Sequence, residues 1–429
     1  MDATISTQRQ ASLEELVEQV QRAALARTPL AIRGGNTKLW YGHRVEGEPL
    51  DVRGYAGIVD YEPSELVITA RAGTPLAEIA AALAEHEQML AFEPPLSSLA
   101  LMGPHPGPLP LGEGRGRDGE FAEHAPRPSS GSGLQAGTRT ASEGIAAVGQ
   151  ATLGGCVATG LSGPRRQASG AVRDFMLGAK LIDGRGQVLS FGGQVMKNVA
   201  GYDVSRALAG SLGTLGVIAE VSLKVLPRPA GSTTLAFSMG QEKALTQFNE
   251  WAGMPLAITA SAWRASAASP RSGTLRVRLE GSEAALQSGI RRIGGLDVDP
   301  DEATASWAGI REQTDAFFEE RPADAPLWRL SLPSTAAPLD PKALGFADQL
   351  IEWGGALRWI ATRADADTVR EAAAAAGGHA TLYRASDPLK ERHGVFQPLA
   401  PAIMAIHRRL KTEFDPHGIF NRGRMYRDL

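Results

Sequence analysis

Three short stretches of this chain carry residue types suited to holding a phosphate-bearing ligand. Arg33-Gly34-Gly35-Asn36-Thr37 follows the apolar run Leu30-Ala31-Ile32. Glycines let consecutive backbone N–H groups point into one concavity, a nest that suits a pyrophosphate. Asn36 fits the same logic, because asparagine tolerates the left-handed backbone region better than most residues. Thr37 adds a hydroxyl donor. Taken alone, the stretch is equally an ordinary Gly-Gly turn. The second stretch is Leu153-Gly154-Gly155-Cys156-Val157-Ala158-Thr159-Gly160-Leu161-Ser162-Gly163, whose small residues allow a flat, bulky ligand to approach the backbone. The third is Lys197-Asn198-Val199-Ala200-Gly201-Tyr202-Asp203, followed by Gly210-Ser211-Leu212-Gly213-Thr214-Leu215-Gly216-Val217-Ile218. Each is weak alone; together they point to a large phosphate-bearing cofactor. Neither Gly-x-Gly-x-x-Gly nor the P-loop pattern occurs, and the region lacks βαβ alternation, which disfavours a Rossmann-type nicotinamide site.

The elements that must position these stretches are legible in outline. Residues 12–26 read as an amphipathic helix with Leu13, Leu16, Val17, Val20 and Ala24 on one face and a capping box from Ser12 and Glu15. Leu66–Arg71 reads as a strand ending at Gly73-Thr74-Pro75, where Thr74 is expected to cap a helix carried by Ile79 and Leu83. Gly178–Ile182 and Gln187–Phe191 flank Asp183-Gly184-Arg185-Gly186 as a hairpin, and Val217–Val225 alternates as a long strand closed by Pro227 and Pro229. Residues 230–385 mix strand-like runs with alanine-rich helices, and Ile403, Ile406, Leu410 and Phe414 recur at helical spacing near the C-terminus.

Composition narrows the class. Of 429 residues, 49 are Gly and 27 Pro, where average usage gives roughly 30 and 21. Residues 97–150 hold 11 Gly and 6 Pro in 54 positions, above the roughly 25–30% that marks low complexity, and read as an inserted, mobile loop. A net charge of -3 argues against nucleic-acid binding. The single Cys156 leaves no internal disulfide framework and no thiolate-held iron–sulfur cluster within this chain, and reads as a small buried residue. Met1–Gln10 shows no signal-peptide pattern and no run of about 18 apolar residues occurs, so a cytoplasmic protein is expected, reaching a membrane only through partners.

Longer stretches carry a resemblance: Gly160-Leu161-Ser162-Gly163-Pro164-Arg165-Arg166, Arg173-Asp174-Phe175, Phe191–Asp203 and Phe414-Asp415-Pro416-His417-Gly418-Ile419-Phe420-Asn421-Arg422-Gly423-Arg424. On these the chain resembles the flavin-dependent oxidases of the vanillyl-alcohol oxidase type, with the FAD-binding domain shared with p-cresol methylhydroxylase. More narrowly it is similar to the FAD-binding E-type subunits of bacterial glycolate oxidase. Cell-wall sugar-nucleotide reductases share that cofactor fold but lack the Gln194–Asp203 stretch. The resemblance implies an α+β chain: a two-subdomain FAD-binding domain at 1–229 interrupted by the 97–150 insert, a smaller α+β cap at 230–385, and a 386–429 segment returning to the FAD domain. It implies that Arg33, Gly34, Gly35, Asn36 and Thr37 cradle the FAD pyrophosphate and that Gly154, Gly155, Thr159, Ser162 and Gly163 line the flavin and its linker. Val217 and Ile218 would lie near the adenine end, and Asn421 would close over the flavin side. Asn36 stands where relatives usually carry a third glycine, or a histidine when flavin is covalently bound, so non-covalent FAD is expected. Arg422 replaces a usual proline.

The reaction so implied oxidises glycolate or a similar short 2-hydroxy acid, with hydride passing to flavin N5. It requires a base for the hydroxyl proton and an arginine for the carboxylate. Among eight histidines, His379 is the best base candidate, and Arg329, within Leu327-Trp328-Arg329-Leu330, is the carboxylate candidate. A surface histidine and a solvated edge-strand arginine are the plain alternatives. The resemblance also implies a paralogous FAD-binding catalytic subunit and an iron–sulfur subunit as partners. The paralogue's paired-histidine metal motif is missing here and no metal site is expected, which favours a second role: FAD as an electron relay beside a catalytic paralogue.

Overall fold

The computed structural model describes residues 11–96, 150–193, 203–266 and 269–429. Apart from Gln150, the glycine- and proline-rich 97–150 segment lies outside the described residues, as does all of Gln194–Asp203 except Asp203.

The chain opens as its patterning predicts. Helix α1 (Leu13–Ala26) starts on a reciprocal capping box, with Glu15 N donating to Ser12 Oγ at 3.1 Å and Ser12 N to Glu15 Oε2 at 3.0 Å. Its buried stripe, Leu16 and Val20, covers the strands β1 (Leu30–Arg33) and β2 (Glu48–Asp51), which pair in parallel. An antiparallel sheet follows, ordered β3 (Ile58–Glu62), β4 (Val67–Arg71), β8 (Val217–Lys224), β6 (Met176–Ile182), β7 (Val188–Gly192). A two-residue pair, β5 (Gln88–Met89) with β9 (Leu226–Pro227), sits beside it. Helix α2 (Leu76–Ala84) buries Leu76, Ile79 and Leu83 completely against this sheet. Its cap differs from the sequence expectation. Pro75 is the N-cap, while Thr74 Oγ1 turns away, accepting from Gly57 N at 2.9 Å and donating to Gly57 O at 3.1 Å. The hydroxyl is spent closing a 17-residue loop.

The glycine-rich Leu153–Gly163 stretch begins as a short helix, α3 (Leu153–Thr159), capped by Thr152 and ended by Gly160 in the left-handed region (φ 64). A glycine is required inside it. A Cβ on Gly154 would stand 2.7 Å from Ala72 Cβ, so Gly154 lets the helix lie directly on the end of β4.

The second half is one antiparallel sheet of eight strands: β13 (Leu296–Asp297), β10 (Gly231–Gly240), β12 (Ser269–Gly281), β11 (Ile258–Ser266), β15 (Gln349–Glu352), β16 (Leu357–Ala361), β14 (Leu327–Ser331), β17 (His379–Arg384). One face lies under the helices Gln241–Ala252, Glu283–Ile293 and Ala366–Ala375, with Trp263, Leu275, Trp328 and Ile360 inside. The other face presents Ala260, Ala262, Leu350, Trp359 and Tyr383 to Tyr41, Leu161 and Leu212 of the first half. Strand alternation thus aims a row of side chains at the glycine-rich loops.

The C-terminal segment crosses back. After the helix Pro401–Phe414, Leu30 N donates to Ile419 O at 2.7 Å and Asn421 N to Leu30 O at 3.1 Å, extending β1 by a parallel bridge at Phe420. Among the described residues, no helix is long and apolar enough to cross a membrane.

Candidate functional site

The glycine-rich loops converge on one cavity. Gly34, Gly35, Asn36 and Thr37 form one wall; Gly154, Gly155 and Thr159 form another; Gly213, Ile218 and Asn421 close it. Pro94-Pro95 and Ala151-Thr152, the two flanks of the insert, both line it.

Several local features fit a phosphate-bearing cofactor here. Asn36 sits in the left-handed region (φ 58), as a nest requires, and its Oδ1 is buried without a hydrogen-bond partner among the described residues. Gly34 and Gly35 press so closely on Thr152 and Gln150 that an added Cβ would stand 2.5 Å from Thr152 Oγ1 and 1.6 Å from Gln150 O. Asn421 is the latch. Its Oδ1 accepts from Ile32 N at 2.9 Å and its Nδ2 donates to Leu212 O at 2.7 Å, tying the strand before the first loop to the turn after the third.

Two cations that the sequence reading passed over also line this cavity. Lys38 directly follows Thr37, and burial brings its ammonium down to about 8. Arg424 donates to the carbonyls of Lys38 at 3.3 Å and Tyr41 at 3.1 Å, and burial brings it to about 10. Cys156 is buried, and desolvation pushes its thiol up to about 12, so it stays a thiol. Two of the residues expected to contact cofactor face elsewhere. Arg33 is exposed at the end of β1, and Val217 points into the core under α1 because alternation along β8 sends only Ile218 to the cavity.

A second, smaller cavity adjoins the first, and Pro95 and Leu161 line both. Ser162 and Gly163 belong to this one, and Ser162 Oγ is buried without a partner among the described residues. The eight-stranded sheet supplies the opposite wall. Register places Arg329 of β14 across from Trp359 of β16, and its guanidinium lies 5.9 Å from the Trp359 ring and 5.1 Å from the Trp353 ring. Arg166 stacks on Trp353 as well, at 4.5 Å. Arg329 makes no ion pair or side-chain hydrogen bond among the described residues. A guanidinium framed by aromatic rings has the donors to pair with an anion.

Glu352 closes the group. It is 4% exposed, Trp359 Nε1 donates to its Oε1 at 2.7 Å, and burial raises its carboxyl to about 7. The next residue, Trp353, holds φ 54, and a bulky side chain in that region is an outlier costing about 1–3 kcal/mol. Trp353 Nε1 donates to Gly163 O at 3.1 Å, which fixes its indole between the two arginines and the 161–163 loop. Sequence reading missed both residues. The available signal was an acidic residue ending the apolar Gln349-Leu350-Ile351 run, followed by Trp-Gly-Gly.

His379 is not brought to either cavity. It is the first residue of β17, the edge strand, exposed and outside the lining of both cavities. The surrounding protein, and then the charge of Arg329, hold its imidazole below the ordinary histidine value. Its neighbour in register is Ser331, two residues beyond Arg329 along β14.

A nest-bearing cofactor cavity between an antiparallel sheet and a C-terminal latch, faced by a second sheet, defines a FAD-dependent oxidoreductase of the p-cresol methylhydroxylase type. Residues 9–124 match the FAD binding domain family. Over 416 residues the chain is 41% identical to glycolate oxidase subunit GlcE of Escherichia coli (strain K12), covering 97% of this chain and 98% of that one. This chain belongs to the family of glycolate oxidase GlcE subunits. A shorter likeness, 37% over 84 residues, 20% of this chain and 18% of the relative, links it to glycolate oxidase subunit GlcD of Bacillus subtilis (strain 168). Among solved structures, alkyldihydroxyacetonephosphate synthase shares the fold, with a TM-score of 0.56 over 97% of this chain and 76% of that one at 14% identity.

Proposed function

We propose that this chain, with FAD bound non-covalently, oxidises glycolate or a similar short 2-hydroxy acid to the 2-oxo acid, and that the electrons pass on to an iron–sulfur subunit in a complex with a paralogous FAD-binding subunit. FAD supplies the two-electron acceptor for the substrate's hydride. Gly34, Gly35, Asn36 and Thr37 hold its pyrophosphate; Gly154, Gly155, Thr159, Ile218 and Asn421 shape the rest of its cavity, and Ser162 and Gly163 border the flavin from the smaller one. In the adjoining cavity Arg329 takes the substrate carboxylate through its two parallel N–H groups. Trp353, Trp359 and Leu161 keep that site dry, which strengthens the ion pair.

The observation that carries this reading is the position of Arg329: an unpaired guanidinium in a small cavity that shares Pro95 and Leu161 with the cofactor cavity. The aromatic walls around the guanidinium suit a short acid held by its carboxylate. The kinship with GlcE and GlcD subunits supports the choice of glycolate and the multi-subunit setting. Replacing Arg329 by Met tests it. The variant is expected to retain FAD and to lose the perturbation of the flavin spectrum that oxalate produces in the unaltered chain. An undiminished oxalate response in R329M rules out Arg329 as the receptor.

A further inference from the structure

The reaction proposed above leaves one proton without a destination, and the cavity beside the cofactor site holds one carboxyl. We propose that Glu352 accepts the hydroxyl proton of the 2-hydroxy acid, a role that rests on that reading of the site. Glu352 is the last residue of β15 and Arg329 lies in β14, on the two sides of β16. Two strand spacings put their backbones roughly 10 Å apart. Both side chains line the same cavity, Arg329 paired with Trp359 and Glu352 with Leu357 across β16.

The other lining groups do not serve. Tyr383, its pKa pushed up to about 12 by burial, remains a phenol at neutral pH. Arg311 and Arg329 have no acceptor atoms. Glu352 has its Oε1 fixed by Trp359, and no described group hydrogen-bonds Oε2, which stays available to a ligand. The left-handed backbone at Trp353 turns the chain immediately after Glu352 and keeps that carboxyl at the cavity wall.

In the step, the substrate O–H bond breaks and its proton goes to Glu352. With FAD bound, the electron pair of the Cα–H bond would leave as hydride to its ring system, and the carbonyl bond of the 2-oxo acid would form from the oxygen lone pair. Glu352 then returns the proton to solvent. The charged and titratable groups facing Glu352 are Arg329 and Tyr383 on its own sheet, Arg166 from the flavin side and Arg311 from the helix Pro300–Glu312, with Asp315 and Glu93 beyond.

The test uses the FAD-loaded full chain and its Glu352→Gln and Glu352→Asp variants, mixed anaerobically with glycolate across the neutral pH range. Glu352→Gln is expected to keep FAD and to bind oxalate as the unaltered chain does. Its flavin reduction slows about a hundredfold or more, and the pH-dependent limb of the unaltered chain disappears. Glu352→Asp recovers part of the rate and keeps a limb; should Gln impair folding, the Asp variant carries the same comparison. Infrared difference spectra give a readout independent of turnover: oxalate binding shifts a carboxyl band in the unaltered chain and not in Glu352→Gln. Equal reduction rates and the same pH limb in both proteins overturn the role of Glu352 alone. If the unaltered chain's flavin is never reduced by a short 2-hydroxy acid, the proposed function fails, and this role with it.

Discussion

Asn36 and Glu352 show the two ways a residue can matter here, one visible in the sequence and one not. Asn36 is needed for its backbone: at φ 58 a β-branched side chain is strained by about 1–2 kcal/mol, and its buried Oδ1 has no protein partner among the described residues. Asn36→Val is therefore expected to weaken FAD binding about tenfold or more, Asn36→Gly less, as read by fluorescence titration of the FAD-free chain. Acid precipitation of the loaded chain should leave the flavin in the supernatant. Such a position is legible because the requirement is local, met by a Gly-Gly-Asn turn after an apolar run. Glu352 was not legible, because its environment arises from pairing with β11 and β16 and from loops nearly 200 residues earlier in the chain. Its pH signature has a definite sign. Folding raises its pKa from 4.5 to about 7, so the stability it contributes is fully present below about 4.5 and is lost as pH rises through about 7. At about 1.36 kcal/mol per pH unit that loss is on the order of 3 kcal/mol. Glu352→Gln should consequently gain thermal stability relative to the unaltered chain above pH 7 and show no such gain near pH 4.5. A parallel offset at both pH values would contradict it.

At the scale of elements, the C-terminal segment is clasped to the rest of the fold by a buried ion pair. Lys411, 8% exposed, donates to Asp415 Oδ2 at 2.7 Å, Thr214 O at 2.7 Å and Phe420 O at 2.8 Å. Asp415 in turn accepts from Ile419 N at 2.9 Å and Phe420 N at 2.8 Å, which shapes the turn that delivers Asn421 to the cofactor cavity. Lys411→Met leaves Asp415 buried and unpaired, and breaking such a pair costs about 3–5 kcal/mol. The expected result is a lower unfolding midpoint in urea together with weaker FAD retention. An unchanged midpoint would show that the clasp is dispensable. Helical spacing of Ile403, Ile406, Leu410 and Phe414 announced the helix but not its packing. Only Phe414 of the four is buried, while Ile403, Ile406 and Leu410 are 45%, 58% and 37% exposed. Periodicity reports that a helix forms; it does not report which side of it the protein covers. Thr74 teaches the same lesson at a cap, where a tertiary partner, Gly57, wins the hydroxyl from the helix end.

At the scale of the whole molecule, two sheets meet across a buried network of four charges. Glu93 Oε1 accepts from Arg278 at 2.9 Å, its Oε2 accepts from Arg165 N at 2.8 Å, and Arg165 reaches Glu280 Oε1 at 2.6 Å. Glu93 directly precedes the cavity-lining Pro94-Pro95, so the network fixes the wall that both cavities share. Glu93→Ala removes one of the two carboxylates that pair with Arg278, Glu280 staying at 3.2 Å, and is expected to cost about 1.5–3 kcal/mol and to weaken oxalate binding, measured by calorimetry and by the flavin spectrum. The α+β class and the cofactor loops were readable from sequence because glycine-rich turns and strand alternation are short-range signals. Of the facing wall only Arg329 was named from the sequence; Glu352 and Trp353 were not, since their setting exists only once the second sheet faces the first. Whether that wall does chemistry is decided most directly by mixing the purified, FAD-loaded chain with glycolate in the absence of oxygen and of any other subunit. Loss of the flavin's visible absorbance, with glyoxylate formed in equal amount, is the predicted result. Flavin that stays oxidised until a partner subunit is added would contradict it and make this chain an electron relay.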